Sequence, residues 1–92
     1  MTWEVLQSRR FSRAYKKLKN NIQADIDEEV EKIAKDPLLG EQKKGDLAQL
    51  RVHKFNSGSQ QYLLGYTLEE QPRLIYLEAT GPHENFYRDL KR

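Results

Sequence analysis

Cysteine is absent from the 92-residue chain, and tryptophan and methionine each occur once. Without cysteine there can be no disulfide bond, thiolate metal ligand or cysteine nucleophile. A secreted domain of this size usually needs disulfides because its core is small, so we expect a protein of the reducing cytoplasm. The N-terminus lacks a signal-peptide pattern, and no apolar run approaches the roughly 20 residues of a membrane span. These absences predict a small cytoplasmic protein that does not enter the membrane.

An excess of charge of one sign is absent too, because 16 basic residues nearly balance 14 acidic ones. The net charge of +2 is too small for non-specific attraction to nucleic acid to dominate, so the distribution of charge matters more. Basic residues concentrate from position 9 to 19 and at the C-terminus, and acidic residues outnumber basic ones from 25 to 36. The simplest interpretation is two solvated helix faces.

The motifs of several large enzyme classes are also missing. The sequence has no nucleotide-binding glycine loop, no Walker motif and no Gly-x-Ser-x-Gly elbow. Its two histidines are not at zinc-motif spacing, and no carboxylate cluster accompanies them. We therefore expect neither a cofactor nor a metal site.

Apolar residues in the first half recur with helical spacing. They fall at Phe11, Ala14, Tyr15 and Leu18, and then at Ile22, Ile26, Val30 and Ile33. This spacing predicts two amphipathic helices, with Ser8 as N-cap of the first. Asp36-Pro37 ends the second helix, because the residue before proline disfavours helical geometry. Four charged side chains of this helix are expected to face away from its apolar stripe; they are Glu28, Glu29, Glu31 and Lys32.

From residue 48 onward the apolar spacing changes from helical to alternating. Three strands are predicted, over residues 48–55, 60–68 and 73–80, with turns at 56–59 and 69–72. In the first strand, Leu50 and Val52 face one side, and Arg51, His53 and Phe55 face the other. In the second, alternation places Tyr62, Leu64 and Tyr66 on one core-facing side. Gly81-Pro82 is expected to break the last strand before a short helix or tail over 85–92.

With an opening strand over residues 2–7, the element order is β-α-α-β-β-β-(α). This order predicts an α+β fold in which an antiparallel helical hairpin covers a sheet as a two-layer sandwich. The N-terminal strand joins a three-stranded antiparallel meander, and the short C-terminal helix or tail follows. We expect one domain spanning residues 1–92.

Residues with useful chemistry concentrate in the second half of the chain. His53 lies on a predicted strand, and His83 follows the last strand with Tyr87 four residues later. In a simple meander, the strand of His53 and the end of the last strand can face one shallow cleft. The sequence therefore predicts a site with two proton-transfer groups, a phenol and several cations.

Intramolecular cleavage of RNA needs such a set of groups. A base removes the 2′-hydroxyl proton, an acid protonates the leaving 5′-oxygen, and cations stabilise the phosphoryl oxygens. The competing interpretation is structural: His53 and His83 are ordinary exposed residues, and Tyr87 covers the core with Phe86. In that interpretation the pair Lys43-Lys44 is a solvated loop charge rather than a guide for a phosphate backbone.

Several segments resemble the RelE/ParE superfamily of toxins from bacterial type II toxin–antitoxin systems. The run KGDLAQLRVHK over 44–54 is similar to the family's loop and basic strand, and QYLLGY over 61–66 to the next strand. The ending TGPHENFY over 80–87 is similar to that of the YafQ-like, ribosome-dependent endoribonuclease branch. The resemblance covers essentially the whole chain.

The resemblance implies a toxin that cleaves messenger RNA in the ribosomal A site without metal. It also implies a cognate antitoxin, which neutralises the toxin by forming a toxin–antitoxin complex with it. The antitoxin is expected to be an acidic segment that folds on binding. In this family's pattern His83 matches a catalytic histidine, and Tyr87 matches an aromatic that stacks on or orients a base. The basic strand that contacts substrate phosphates corresponds to Arg51, His53 and Lys54.

One departure from the family concerns its arginine on the second meander strand, where this chain has Gln61, Tyr62 and Leu63. The phosphate-stabilising role would then fall to Arg51, Lys54 or Arg88. Two other functions stay open. One is a ParE-like toxin that poisons DNA gyrase without catalysis, against which the histidines count, and the other is a binding module paired with an antitoxin and no longer toxic.

Overall fold

The computed structural model describes residues 3–90, and its elements follow the predicted order apart from one added two-residue strand. They are β1 Glu4–Gln7, α1 Arg9–Lys16, α2 Asn20–Lys35, β2 Glu41–Gln42, β3 Arg51–Ser57, β4 Gln60–Glu69, β5 Leu74–Pro82 and α3 His83–Leu90. The sheet order is β1-β5-β4-β3-β2, with β1 parallel to β5 and the other neighbours antiparallel. The α+β class, the helical pair and the meander are confirmed.

Ser8 fixes the entry into α1, as its position before the first apolar stripe predicts. Its Oγ accepts a hydrogen bond from the backbone N–H of Phe11 at 3.0 Å and donates one to the carbonyl of Glu78 at 2.9 Å. One side chain therefore satisfies a free helix donor and fastens α1 to β5.

Both faces of the sheet carry a packed cluster, because the short C-terminal helix lies on the face opposite the hairpin. On the hairpin face, α1 and α2 pack on a cluster that includes Phe11, Ile26, Ile33, Phe55, Tyr62, Leu64, Tyr66 and Ile75. On the α3 face, a smaller cluster contains Leu50, Val52, Leu63, Ala79 and Phe86. The burial expected for Tyr62, Leu64 and Tyr66 is confirmed.

The predicted break at Gly81-Pro82 is wrong, since β5 continues through Pro82 and α3 begins directly at His83. Gly81 still pairs with Leu63, and Pro82 with Tyr62. On its other side β5 pairs with β1 only as far as Leu77, so Pro82 lies where a missing N–H removes no ladder bond. The predicted strand start at Thr2 and helix end at 91–92 fall outside the described residues.

The α2–β3 connection contains the two-residue strand β2 and a 3₁₀ turn over Gly45–Leu47. Glu41 pairs with Val52 and Gln42 with Arg51, so β2 adds a short edge to the sheet. Within residues 3–90, no helix has the length and apolar character required to cross a membrane.

Candidate functional site

Strand alternation divides the predicted site residues of β3 between two faces of the sheet. Val52 belongs to the α3 cluster and Phe55 to the hairpin cluster. Because side chains alternate along a strand, His53 shares the face of Phe55, and Lys54 shares the face of Val52. The expected division of β3 into two faces is therefore confirmed.

The two histidines do not share a cleft, so the predicted two-histidine site is wrong. His53 turns toward α2 and stacks on Phe55 with ring centroids 6.1 Å apart. His83 lies at the start of α3, beside a shallow depression of about 280 Å³ that Gln60, Gln61 and Glu84 also line. The sheet separates the hairpin face from the face on which α3 packs.

His53 is bound to Glu29 of α2 instead of facing open solvent. Its Nε2 lies 2.6 Å from Glu29 Oε1, and the two side chains are 14% and 13% exposed. Burial opposes ionisation of Glu29, but the hydrogen bonds from His53 and Lys32 outweigh it and lower the pKa of the carboxyl. The expectation that Glu29 faces away from the apolar stripe is wrong, and the contact ties α2 to β3.

Arg51 is likewise engaged within the fold. Its Nη1 donates to the carbonyl of Gly40 at 2.7 Å and to that of Leu38 at 3.4 Å. The guanidinium therefore holds the loop after α2, and its contact with substrate phosphates stays a prediction.

Tyr66 holds the same loop, a role beyond the core position that its alternation along β4 predicts. Its hydroxyl donates to the carbonyl of Pro37 at 2.7 Å and accepts from the backbone N–H of Gly40 at 2.8 Å. A Cβ at Gly40 would lie 2.8 Å from the same hydroxyl, so the approach requires glycine. Burial is the main cause that raises the pKa of Tyr66. A signal was available, because a buried tyrosine needs a partner for its hydroxyl.

The loop held in this way brings Lys43 against α3. The backbone N–H of Lys43 donates to the carbonyl of Leu50 at 2.9 Å. Its Nζ lies 2.9 Å from Glu41 Oε1 and 5.6 Å from the centre of the Tyr87 ring. The hydrogen bonds with Glu41 and then with Tyr87 raise the pKa of Lys43.

Helix α3 presents His83 and Tyr87 one turn apart. Phe86 is buried in the α3 cluster, and Tyr87 packs on that cluster with its ring edge-on to Phe86 at 5.1 Å. Phe86 lies over Gly65, where an added Cβ would come within 2.9 Å of its ring. Residues four apart on a helix share a face, so exposed His83 and half-buried Tyr87 point to the same side.

Two further lysines extend this group of cations. Glu41 has a lowered pKa, mainly because of Lys43, with smaller contributions from Lys54 and Lys44. We call His83, Tyr87, Lys43, Lys44 and Lys54 the α3-side site. Arg88 is largely exposed, and its guanidinium bonds to the neighbouring Asn85 side chain at 2.9 Å.

The α3-side site has the groups for acid–base chemistry on a phosphodiester. Histidine exchanges protons near neutral pH, and the lysines supply positive charge. Within the described range 3–90, His, Asp and Glu side chains form no group of three suited to holding a metal ion.

Comparison with known proteins identifies the family. A model of the ParE-like toxins of type II bacterial toxin–antitoxin systems matches residues 5–91. This chain therefore belongs to that family, within the RelE/ParE superfamily that the sequence motifs indicate. No curated protein sequence is a significant match to the chain.

Solved structures of similar fold are RelE toxins. The RelBE2 toxin–antitoxin complex from Mycobacterium tuberculosis contains a chain that is 18% identical, with a TM-score of 0.80 over 90% of this chain and all of that one. The intact E. coli RelBE complex contains one that is 14% identical, with a TM-score of 0.72 over 86% and 94% of the two chains. At these identities the likeness establishes a RelE-like fold.

Proposed function

We propose that this toxin is a metal-independent endoribonuclease whose reaction takes place at the α3-side site. The observation that carries the proposal is the position of His83 and Tyr87 on one side of α3, with the Lys43 ammonium 5.6 Å from the Tyr87 ring. A proton acceptor, a hydroxyl and a cation then lie around one surface. Fold alone would not support an activity, because one scaffold can carry several functions.

The reaction is an attack of RNA on its own backbone. His83 accepts the proton of the 2′-hydroxyl, and the 2′-oxygen bonds to the adjacent phosphorus as the bond to the 5′-oxygen breaks. Tyr87 gives its hydroxyl proton to the leaving 5′-oxygen, and the proton on His83 then returns to the phenolate through water. The products are a 2′,3′-cyclic phosphate and a free 5′-hydroxyl.

The lysines stabilise the charge that develops during this attack. Lys43 is the one whose ammonium lies over the Tyr87 ring, and like any ordinary lysine it is cationic at neutral pH. Lys44 and Lys54 are exposed and lie close enough to Glu41 to affect its pKa. They are suited to binding the flanking phosphates of the strand. Arg88, exposed on α3, can bind a further phosphate.

The biological setting follows from the family. We propose that the substrate is messenger RNA in the ribosomal A site, that cleavage inhibits translation in the cytoplasm, and that an antitoxin protein neutralises the toxin in a hetero-oligomer. The RelBE structures of similar fold are toxin–antitoxin complexes, which supports the antitoxin partner. We also propose that residues 1–92 form one domain.

The test is the mapping of 5′ ends on cellular messages after brief induction of the wild type and of His83→Gln. The expected result is ribosome-phased cuts with 5′-hydroxyl ends that the wild type produces and His83→Gln loses. His83 is exposed, so the variant should fold normally. Equal cutting by both proteins would remove His83 from the mechanism, and no cutting by the wild type would reject the activity.

The engagement of His53 by Glu29 favours a second candidate, because it leaves the proposed site with a single histidine. A ParE-like toxin needs no proton transfer, since it acts by binding DNA gyrase. Induction would then produce DNA breaks and filamentous cells while messages stay intact. Scoring DNA breakage beside message integrity separates the two candidates.

A further inference from the structure

The depression beside His83 lies where strands β4 and β5 reach the end of their ladder. Tyr62 pairs with Pro82, and one residue further on Gln61 and His83 both line the depression, which has a volume of about 280 Å³. Leu63 belongs to the α3 cluster, so alternation places Gln61 on the face of the sheet on which α3 packs. Gln61 therefore lies beside the group proposed to accept the 2′-hydroxyl proton.

The walls of the depression are polar and, among residues 3–90, include no lysine or arginine. Besides Gln61 and His83 they consist of Ser59, Gln60 and Glu84. A phosphate binds where cations are concentrated, whereas the carboxylate of Glu84 repels it. The depression is therefore unsuited to a phosphate and suited to an uncharged group that forms hydrogen bonds.

Two of these side chains are free to bind such a group. Within the described part of the chain, the side chains of Gln61 and Glu84 make no hydrogen bond or ion pair, and both residues are exposed. Gln60 differs, because its Oε1 accepts a hydrogen bond from the Tyr62 hydroxyl at 3.4 Å. An amide offers both a donor and an acceptor, and a carboxylate offers acceptors. An unpaired RNA base presents complementary groups along its Watson–Crick edge.

The carboxylate of Glu84 distinguishes between bases, because an ionised carboxylate only accepts hydrogen bonds. Adenine, cytosine and guanine carry an exocyclic amino group, which donates. Uracil has carbonyl oxygens on both sides of its single ring N–H, and these oxygens repel a carboxylate. An acceptor at this position therefore favours a base with an amino group over uracil.

Glu84 also has a purely structural explanation. It lies in the first turn of α3, where a negative charge stabilises the helix. That role requires no ligand, and it gives no function to the neighbouring amide of Gln61. The two roles are separable, because the structural one affects stability and leaves any preference among bases unchanged.

We infer that the depression is a base-recognition subsite, in which Gln61 and Glu84 bind the edge of the base beside the scissile phosphate. Glu84 accepts a hydrogen bond from the exocyclic amino group, and the Gln61 amide bonds to the adjacent group on the same edge. The inference rests on the proposed function, because His83, which lines the same depression, marks the position of the scissile phosphate. It adds that the toxin selects its messages by one base and disfavours uracil there.

The test compares the cleavage of messages that differ by one base. Purified toxin is mixed with ribosomes programmed with messages in which each A-site codon position carries cytidine or uridine in turn, and kcat/KM is measured for each message. Wild type is compared with Glu84→Gln, whose amide donates as well as accepts, and with Gln61→Ala. One control is Asp89→Asn, which removes an exposed acid of α3 outside the depression. The other is Asn56→Ala, which removes the exposed amide that pairs with Gln61 across the strands.

At one codon position the wild type should prefer cytidine to uridine by about tenfold or more, which is the discrimination that a paired contact with a base edge provides. Glu84→Gln should bring this ratio of kcat/KM values close to one. Gln61→Ala should lower kcat/KM for cytidine more than for uridine. Asp89→Asn and Asn56→Ala should keep the wild-type ratio.

The inference is overturned if the wild type cleaves cytidine and uridine messages equally at every codon position. It is overturned equally if Glu84→Gln loses Tm but keeps the wild-type ratio, since Glu84 would then serve only the stability of α3. Absence of cleavage by the wild type on every message would reject the proposed function, and this inference with it.

Discussion

At the scale of single residues, the contact between His53 and Glu29 couples the stability of the fold to pH. Glu29 has a lower pKa in the folded protein than its ordinary value of 4.5. The unfolded chain therefore binds the proton more readily, and acidification favours unfolding. The stability contributed by Glu29 should be complete above pH 4.5 and should be lost as the pH falls through its folded-state pKa.

Denaturant unfolding on both sides of pH 4.5 measures this dependence. Glu29→Gln should flatten the acid side of the stability profile, because the titrating group is gone. Glu28→Gln, an exposed neighbour, should keep the wild-type profile. Identical profiles for wild type and Glu29→Gln would show that the Glu29 carboxyl is not the titrating group.

The histidines form a matched pair for separating stability from activity. His53→Gln removes a partly buried partner of Glu29, and it should cost about 1 to 3 kcal/mol of unfolding free energy. For a chain of this size that corresponds to a fall in Tm of roughly 4 to 8 °C per kcal/mol. Folded His53→Gln should still cleave RNA, whereas His83→Gln should keep its Tm and lose cleavage. If His53→Gln loses cleavage at a temperature where it is fully folded, His53 takes part in cleavage.

Single residues also mark the limit of what the sequence reveals. Alternation along β3 correctly placed His53 on the face of Phe55. Alternation could not reveal that helices cover both faces of the sheet. The solvent exposure of a side chain therefore could not be predicted from the face on which it lies. Glu29 lies three residues after Ile26, close to the apolar stripe of α2, and that spacing is the signal that would have paired it with His53.

At the scale of elements, the loop between α2 and β3 depends on two side chains that lie beneath it. Tyr66→Phe leaves the Gly40 N–H and the Pro37 carbonyl without their partner, and it should destabilise the protein by about 1 to 3 kcal/mol. The loop carries Lys43, so the variant should also weaken the Lys43–Tyr87 contact and reduce cleavage.

Urea unfolding and the chemical shift of the Lys43 ammonium report these two effects. Tyr62→Phe is the matched control, because the hydrogen bond of the Tyr62 hydroxyl within residues 3–90 is a long one of 3.4 Å to Gln60. An unchanged Lys43 signal in Tyr66→Phe would mean that the loop is positioned by other contacts.

Elements with a long periodic pattern were predicted well, and those fixed by tertiary context were not. Both helices of the hairpin and all three meander strands carry their own apolar spacing. The two residues of β2 are too few to show a pattern, and their pairing with β3 depends on the loop held by Arg51 and Tyr66. The local sequence Gly81-Pro82 predicts the end of a strand. β5 nevertheless continues there, because it has already passed the end of β1 and Pro82 needs no backbone N–H on that side.

At the scale of the whole molecule, β4 and β5 contribute side chains to both apolar clusters. Leu64 and Ile75 lie in the hairpin cluster, whereas Leu63 and Ala79 lie in the α3 cluster. The shared strands should make the two clusters unfold together in a single cooperative transition.

Trp3, the single tryptophan, packs against the hairpin cluster and provides a local probe. Its fluorescence and the far-UV circular dichroism should give the same urea midpoint. A Trp3 transition that precedes the circular dichroism transition would show that the hairpin face opens independently.

The double burial of β4 has a consequence for how such a chain can diverge. Residues 62–66 of β4 are buried in succession, so a change at any of them disturbs one packed cluster or the other. The outer sides of α1 and α3 carry no such constraint, because their exposed side chains contact little of the fold. Mutation can therefore alter the target of the protein while the fold is kept, and toxins of a single fold can act on unrelated targets.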